Sequence, residues 1–126
     1  MKTINKVLTN DSIYSLALGV INNFNEYKEY MPAAIAYAIQ KNKSTLQEIA
    51  NEIEKARIEI IQHYGEVQAD GNVKIEEDRV AAANKELIDL LSIEQEIKIY
   101  TCSIEDLNDL HFTFDQIDSL MFMIED

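Results

Sequence analysis

Between Pro32 and Gly65 the chain reads PAAIAYAIQKNKSTLQEIANEIEKARIEIIQHYG, a run with no helix breaker inside it. A proline preset for the first helical turn opens the run, and a glycine suited to a left-handed C′ position closes it. This predicts one helix of about 30 residues, roughly 45–50 Å long. Ile35, Ile39, Asn42, Leu46, Ile49, Ile53, Ala56 and Ile60 recur at spacings of four and three, forming a coiled-coil-like seam with one polar position, Asn42. Such a seam either packs on the chain's own helices or pairs with a second copy, which makes a homo-oligomer through the long helix one reading.

On the N-terminal side, residues 2–8 lack helical period and lead into Thr9-Asn10-Asp11, a cluster suited to N-caps, so a short strand followed directly by a helix is expected. Ile13, Leu16, Ala17, Val20, Phe24 and Tyr27 line one face of that helix, which must end before Pro32. On the C-terminal side, Asp70-Gly71 between extended residues predicts a type I′ hairpin tip, with positive φ at both central residues. A helix from about Glu76 to Leu91 follows, folding back antiparallel on the long helix with Val80, Ala83, Leu87, Leu90 and Leu91 as its buried stripe. At Glu94–Thr101 the period switches to two, with Ile97 and Ile99 inward, and this strand can pair with residues 2–8. Ser103 and Asp106 stand at capping-box spacing before a short turn carrying Leu107 and Leu110. Thr113-Phe114-Asp115-Gln116 announces a terminal helix by the same spacing, with Phe112 stapling onto Ile117 and with Ile117, Leu120, Met121 and Ile124 on its core face. The expected fold is mainly α within an α+β class: a long helical hairpin, a small antiparallel β element and a C-terminal helix, in a single domain over residues 1–126.

Composition narrows the function. The chain of 126 residues has 23 Asp and Glu against 11 Lys and Arg, a formal net charge of −12. Only Arg57 and Arg79 carry guanidinium groups, so the basic surface that neutralises a run of phosphates is missing, and neither a nucleic acid nor an anionic membrane is expected as partner. The same balance argues against sequestration of a small anionic nucleotide. One cysteine, Cys102, cannot form an internal disulfide, and no stretch resembles a secretory signal or a membrane span, so a cytoplasmic location is expected.

Candidate chemistry is sparse. His63 sits where a cation is favoured, in the last turn of the long helix, and His111 precedes a cap. Neither has a second ligand at metal-binding spacing, and Asp70-Gly71-Asn72 lacks the further ligands of a calcium loop. Cys102 follows an acidic strand that raises rather than lowers a thiol pKa. No phosphate-binding loop or nucleophile elbow occurs, so neither an enzyme nor a cofactor or metal site is expected. Partner binding is the remaining reading. Its candidates are Glu76, Glu77 and Asp78 at a helix start, Glu105, Asp106 and Asp109 on a solvated face, and Phe122 and Met123 in a terminal helix apolar nearly all round, which is otherwise simply buried. Glu125-Asp126 closes the chain with further negative charge.

Five blocks stand in order along nearly the whole chain: Tyr30-Met31-Pro32-Ala33 with Ala36-Tyr37-Ala38-Ile39 and Lys41-Asn42; Arg57, Ile60 and Tyr64-Gly65-Glu66; Asp70-Gly71-Asn72-Val73-Lys74-Ile75; Glu86-Leu87, Leu90-Leu91, Glu94 and Ile97; and Thr113-Phe114-Asp115-Gln116 with Leu120 and Phe122-Met123-Ile124-Glu125-Asp126. Together they resemble a family of small accessory proteins of unknown function from tailed phages and prophages of Gram-positive bacteria. The resemblance implies a phage origin and a helical fold with a small β element, and it brings no catalytic residues. The expectation is a non-catalytic protein acting in the host cytoplasm by binding a host protein, a component of antiviral defence being the target class favoured. The alternative is a virion, tail-associated or assembly component that binds phage protein.

Overall fold

The computed structural model describes residues 1–125, so Asp126 and its share of the acidic ending lie outside the described residues. The elements follow the order β1 (Thr3–Thr9), α1 (Asn10–Phe24), α2 (Ala33–Tyr64), β2 (Gly65–Val67), β3 (Val73–Ile75), α3 (Glu77–Ser92), β4 (Glu94–Tyr100), α4 (Ile104–Leu107) and α5 (Phe114–Leu120), closed by a 3-10 turn at Met121–Met123. The fold is α+β and mainly helical, with a long central helix, a two-stranded antiparallel sheet and a C-terminal helix, as the periodicity predicts.

α2 holds 32 residues, about 48 Å at 1.5 Å per residue. Its seam is filled from within the chain: Ile35, Ile39, Asn42, Leu46 and Ile53 are buried, while Ile49, Ala56 and Ile60 are half-buried. A coiled coil with a second copy through this seam would have to displace the chain's own elements. Asn42, 2 % exposed, explains the polar position. Its Nδ2 donates to the Tyr100 carbonyl at 2.8 Å, and its Oδ1 accepts the Tyr100 N–H at 2.8 Å. One side chain thus does for the edge of β4 what a neighbouring strand would do.

β1 and β4 pair antiparallel from Thr3↔Tyr100 to Thr9↔Glu94, so Ile4, Leu8, Ile97 and Ile99 share the core-facing side. Thr9 ends the strand and caps α1, its hydroxyl accepting the Ser12 N–H at 3.2 Å. The next residue, Asn10, is buried and ties three elements together: its N–H reaches the Ile93 carbonyl at 2.8 Å, its Nδ2 the Leu90 carbonyl at 2.9 Å, and its Oδ1 accepts from Gln95 at 2.6 Å. After β4, Cys102 and Ile124 form a parallel bridge, with Cys102 N–H to Met123 O at 3.0 Å and Glu125 N–H to Cys102 O at 2.7 Å. The expected capping boxes at Ser103/Asp106 and Thr113/Gln116 are both formed.

Several expectations need correction. Gly65 does not take a left-handed cap: its φ is −108° and ψ 171°, because it already belongs to the ladder that pairs it with Ile75. A glycine is needed there for space. A Cβ would run into the Val73 side chain and stand 2.9 Å from Ile61 O and 3.2 Å from Lys74 O. Gly65→Ala is therefore expected to cost about 1–3 kcal/mol by overpacking, read from urea denaturation, with amide shift changes confined to residues 61–75; a change within 0.5 kcal/mol would contradict the close approach.

The hairpin tip is not type I′ either. Gly71 has φ 87° and every other described non-glycine residue has negative φ, while Gly71 N–H reaches Gln68 O at 3.0 Å and Gln68 N–H reaches Asn72 O at 2.7 Å. This is a three-residue loop, a type I turn followed by a left-handed glycine. The Asp70 carboxylate accepts the Asn72 N–H at 3.0 Å, an Asx-type bond that closes over the loop.

Of the stripe expected on α3, Ala83 alone is buried; Leu87, Leu90 and Leu91 are half-buried and Val80 is 40 % exposed. The reason is the number of layers. α1 begins beside Glu54, where the Tyr14 hydroxyl donates to its carboxylate at 3.4 Å, and runs away from the distal part of the α2/α3 hairpin. Beyond that point the two helices have only each other to pack on. Phe112 also stacks edge-on against Phe24 and Tyr27, with ring centroids 5.5 and 5.4 Å apart.

At the C-terminus the core positions are Leu120 and Met123, both 0 % exposed, whereas Met121, expected inside, is 56 % exposed. Leu120 is where the spacing places it and Ile124 packs half-buried against the core, but tightening from α to 3-10 geometry puts residues three apart on one side, which brings Met123 in beside Leu120 and turns Met121 out.

Candidate functional site

The acidic candidates fall into two groups at opposite ends of α2. Glu76, Glu77 and Asp78 are exposed at the tip of the α2/α3 hairpin, where α3 begins without a side-chain cap and the positive end of its dipole favours negative charge. Glu105, Asp106 and Asp109 belong to α4 and the turn after it, beside the start of α2, so the length of that helix separates the groups by about 45 Å. They cannot form one contact surface.

The second group is also less free than its sequence suggests. Asp106 accepts the Ser103 N–H at 2.9 Å and returns its own N–H to the Ser103 hydroxyl at 3.2 Å, so its carboxylate is part of a cap. Met123 is removed as a contact residue, since its side chain is fully buried with Sδ 3.3 Å from Asn42 Nδ2. Phe122 is half-buried against the core, and its carbonyl accepts from Lys6 Nζ at 3.3 Å.

What remains is the distal hairpin, an arm built from the end of α2, β2, β3 and α3. Nearer its root, charges neutralise one another along each helix. Arg57 binds Glu54 through Nε at 3.0 Å and holds that carboxyl below its usual range, and Lys85 meets Asp89 at 2.8 Å. The Glu86 carboxylate beside the Tyr64 phenol pushes that phenol above its ordinary value. At the tip, Glu66, Glu76, Glu77 and Asp78 make no ion pair among the described residues. Beside these charges Val67 is 70 % exposed, and nearer the root Ile58 at 41 % and Ile88 at 63 % exposure also have no layer over them. The sequence marks these positions as breaks in the helical stripe or outward strand residues, a signal that singles out none of them without the layer count.

The titratable candidates are dispersed. His63 is exposed, its ring 4.8 Å from Tyr64 in a T-shaped contact, and His111 lines an open cleft of about 480 Å³ between the end of α1 and the start of α5. Cys102 is buried, and burial, followed by the charge of Asp106, pushes its thiol above the ordinary value. Cys102 also borders a cleft of about 720 Å³ at the start of α2, with Met1, Ile35 and Asp106, rimmed by the Lys2–Glu125 pair at 3.1 Å. Among the described residues no three His, Cys, Asp or Glu side chains converge as metal ligands, and no helix is long and apolar enough to cross a membrane. Comparisons with protein-family models, with curated proteins and with solved structures yielded no match to this chain.

Proposed function

We propose that this protein is a small acidic phage accessory protein that works without catalysis, in the host cytoplasm, by binding a host protein through the tip of its α2/α3 arm. The observation that carries the reading is the arm itself: unpaired Glu66, Glu76, Glu77 and Asp78 around exposed Val67 at the tip, with exposed Ile58 and Ile88 farther along a projection that adds little to the core. An acidic rim around apolar contacts suits a basic protein surface, with charge setting the encounter rate and apolar area the lifetime. A nucleic-acid-facing surface of a defence protein has that basic character, and the resemblance to phage accessory proteins supports this target class.

The test is charge reversal at the tip. The triple variant Glu76→Lys, Glu77→Lys and Asp78→Lys is expected to melt within a few degrees of the parent while losing capture of the partner that the parent retains from a Gram-positive lysate at low and moderate salt. For the purified pair, the association rate should fall about tenfold or more. Retained capture by a folded triple variant would reject the arm as the contact. Capture of nothing by the parent at either salt would reject the host-protein reading.

A further inference from the structure

The two edges of the β1/β4 sheet differ. Thr101 N–H donates to Lys2 O at 3.0 Å and Asn10 N–H to Ile93 O at 2.8 Å, which fixes the phase of the ladder at both ends. Ile4, Lys6 and Leu8 are the residues that exchange bonds with Ile99, Ile97 and Gln95, so Thr3, Asn5 and Val7 turn their N–H and C=O groups away from β4. On the far side of β4, Asn42 satisfies Tyr100 and residues 123–125 satisfy Cys102, while the outward main-chain groups of Glu96 and Lys98 are flanked by their own exposed charged side chains. On the outer side of β1, the main-chain groups of Thr3, Asn5 and Val7 have no partner among the described residues. Asn5 is exposed, Val7 is 59 % exposed, and the strand has neither a proline nor a bulge; its single charge, half-buried Lys6, is on the core-facing side with Ile4 and Leu8.

Charge decides what fits there. In a chain of net charge −12, residues 1–10 contain no Asp or Glu. Lys2, just before β1, and Lys6 within it share one face, four residues apart; Lys2 meets Glu125 at 3.1 Å in an exposed pair that an incoming carboxylate can replace, and half-buried Lys6 makes one hydrogen bond, to Phe122 O, and no ion pair among the described residues. A second copy fits poorly: antiparallel pairing centred on Asn5 sets each Lys6 diagonal to the other, about 7–8 Å away. A segment carrying carboxylates opposite the lysines meets both requirements.

We propose that the outer edge of β1 captures an extended, acidic segment of a partner protein, which joins the sheet as an antiparallel third strand with carboxylates facing Lys2 and Lys6. This surface is distinct from the arm, so either reading can fail alone. Main-chain bonds to Thr3, Asn5 and Val7 supply the affinity, and the spacing of the two lysines supplies the preference for acid.

The probe is a nine-residue peptide of alternating valine and threonine with two glutamates four residues apart, compared with its twin carrying lysines at those places. With the glutamate peptide, amide exchange at Thr3, Asn5 and Val7 is expected to slow about tenfold or more, and that peptide should bind at least about tenfold tighter than its twin at low salt. Lys6→Glu should reverse the preference. Val7→Pro, which removes only an outward-pointing N–H, should abolish binding at unchanged circular dichroism; if it disturbs the fold, the Lys6→Glu reversal carries the test. Absence of protection at millimolar glutamate peptide, or equal binding of the two peptides, overturns the proposal. Protection that grows with protein concentration without peptide also overturns it, because the occupant is then a second copy.

Discussion

Asn42→Leu is expected to lower the unfolding free energy by about 3 kcal/mol, and the melting temperature by roughly 10 °C. Leucine keeps the branched four-atom side chain of asparagine and is bulkier, so the loss does not come from a cavity. It comes from the two main-chain groups of Tyr100 that Asn42 serves at 2.8 Å each, in a site only 2 % exposed. Each buried group left without a partner costs about 1–3 kcal/mol. Replacement by aspartate separates the two bonds. Asn42→Asp keeps an acceptor for the Tyr100 N–H but sets a carboxylate against the Tyr100 carbonyl, and only the protonated acid can donate there. The new carboxyl therefore has a folded pKa above its unfolded value of about 3.9, and the variant should lose stability as pH rises through that value and beyond. Urea denaturation at pH 3.5 and 7 measures the difference between that variant and the parent. A leucine variant within 1 kcal/mol of the parent, or an aspartate variant whose deficit does not grow with pH, would mean that Tyr100 finds other partners.

The same residue marks where local reading of this chain ends. Asn42 is visible as a polar break in an apolar seam, but nothing within a turn of it says that its partner is an edge strand 58 residues away. Features decided by local chemistry are legible: the uninterrupted run from Pro32 to Gly65, the period-two strand around Ile97 and Ile99, and the caps at Thr9, Ser103 and Thr113. Features decided by how many layers lie over a surface are not. Val80 and Leu87 have the spacing of a buried stripe, yet the arm has no third element to cover them. Gly65 has the position of a helix cap, yet the packing of Val73 and the ladder with Ile75 determine its geometry. The candidate site divides in the same way. The acidic residues are plain from composition, whereas their separation into a free tip at 76–78 and a capping role at Asp106 follows from a helix about 48 Å long lying between them. The open edge of β1 depends on the phase of a ladder that only pairing defines.

Met123→Ala is expected to cost about 3 kcal/mol, while Met121→Ala, two residues away, should stay within about 0.5 kcal/mol of the parent. Continued α-helical phase through the terminal segment would put Met121 inside with Ile117 and Leu120. The 3-10 turn instead buries Leu120 and Met123 completely and leaves Met121 56 % exposed. Truncating a buried methionine removes its transfer free energy and leaves a cavity, together about 2–5 kcal/mol. Here the loss extends further, because Met123 Sδ lies 3.3 Å from the Asn42 amide and the Met123 carbonyl holds the Cys102 N–H at 3.0 Å. The two sites share a partner, so the combined loss of Met123→Ala and Asn42→Leu should differ from the sum of the single losses by 0.5 kcal/mol or more, an order typical of residues in contact. A larger loss at position 121 than at 123 would show a continuous α-helix, and would return Met123 to the residues available to a partner. A large loss at 123 alone would confine any contact made by this end of the chain to Met121 and the exposed edge of Phe122.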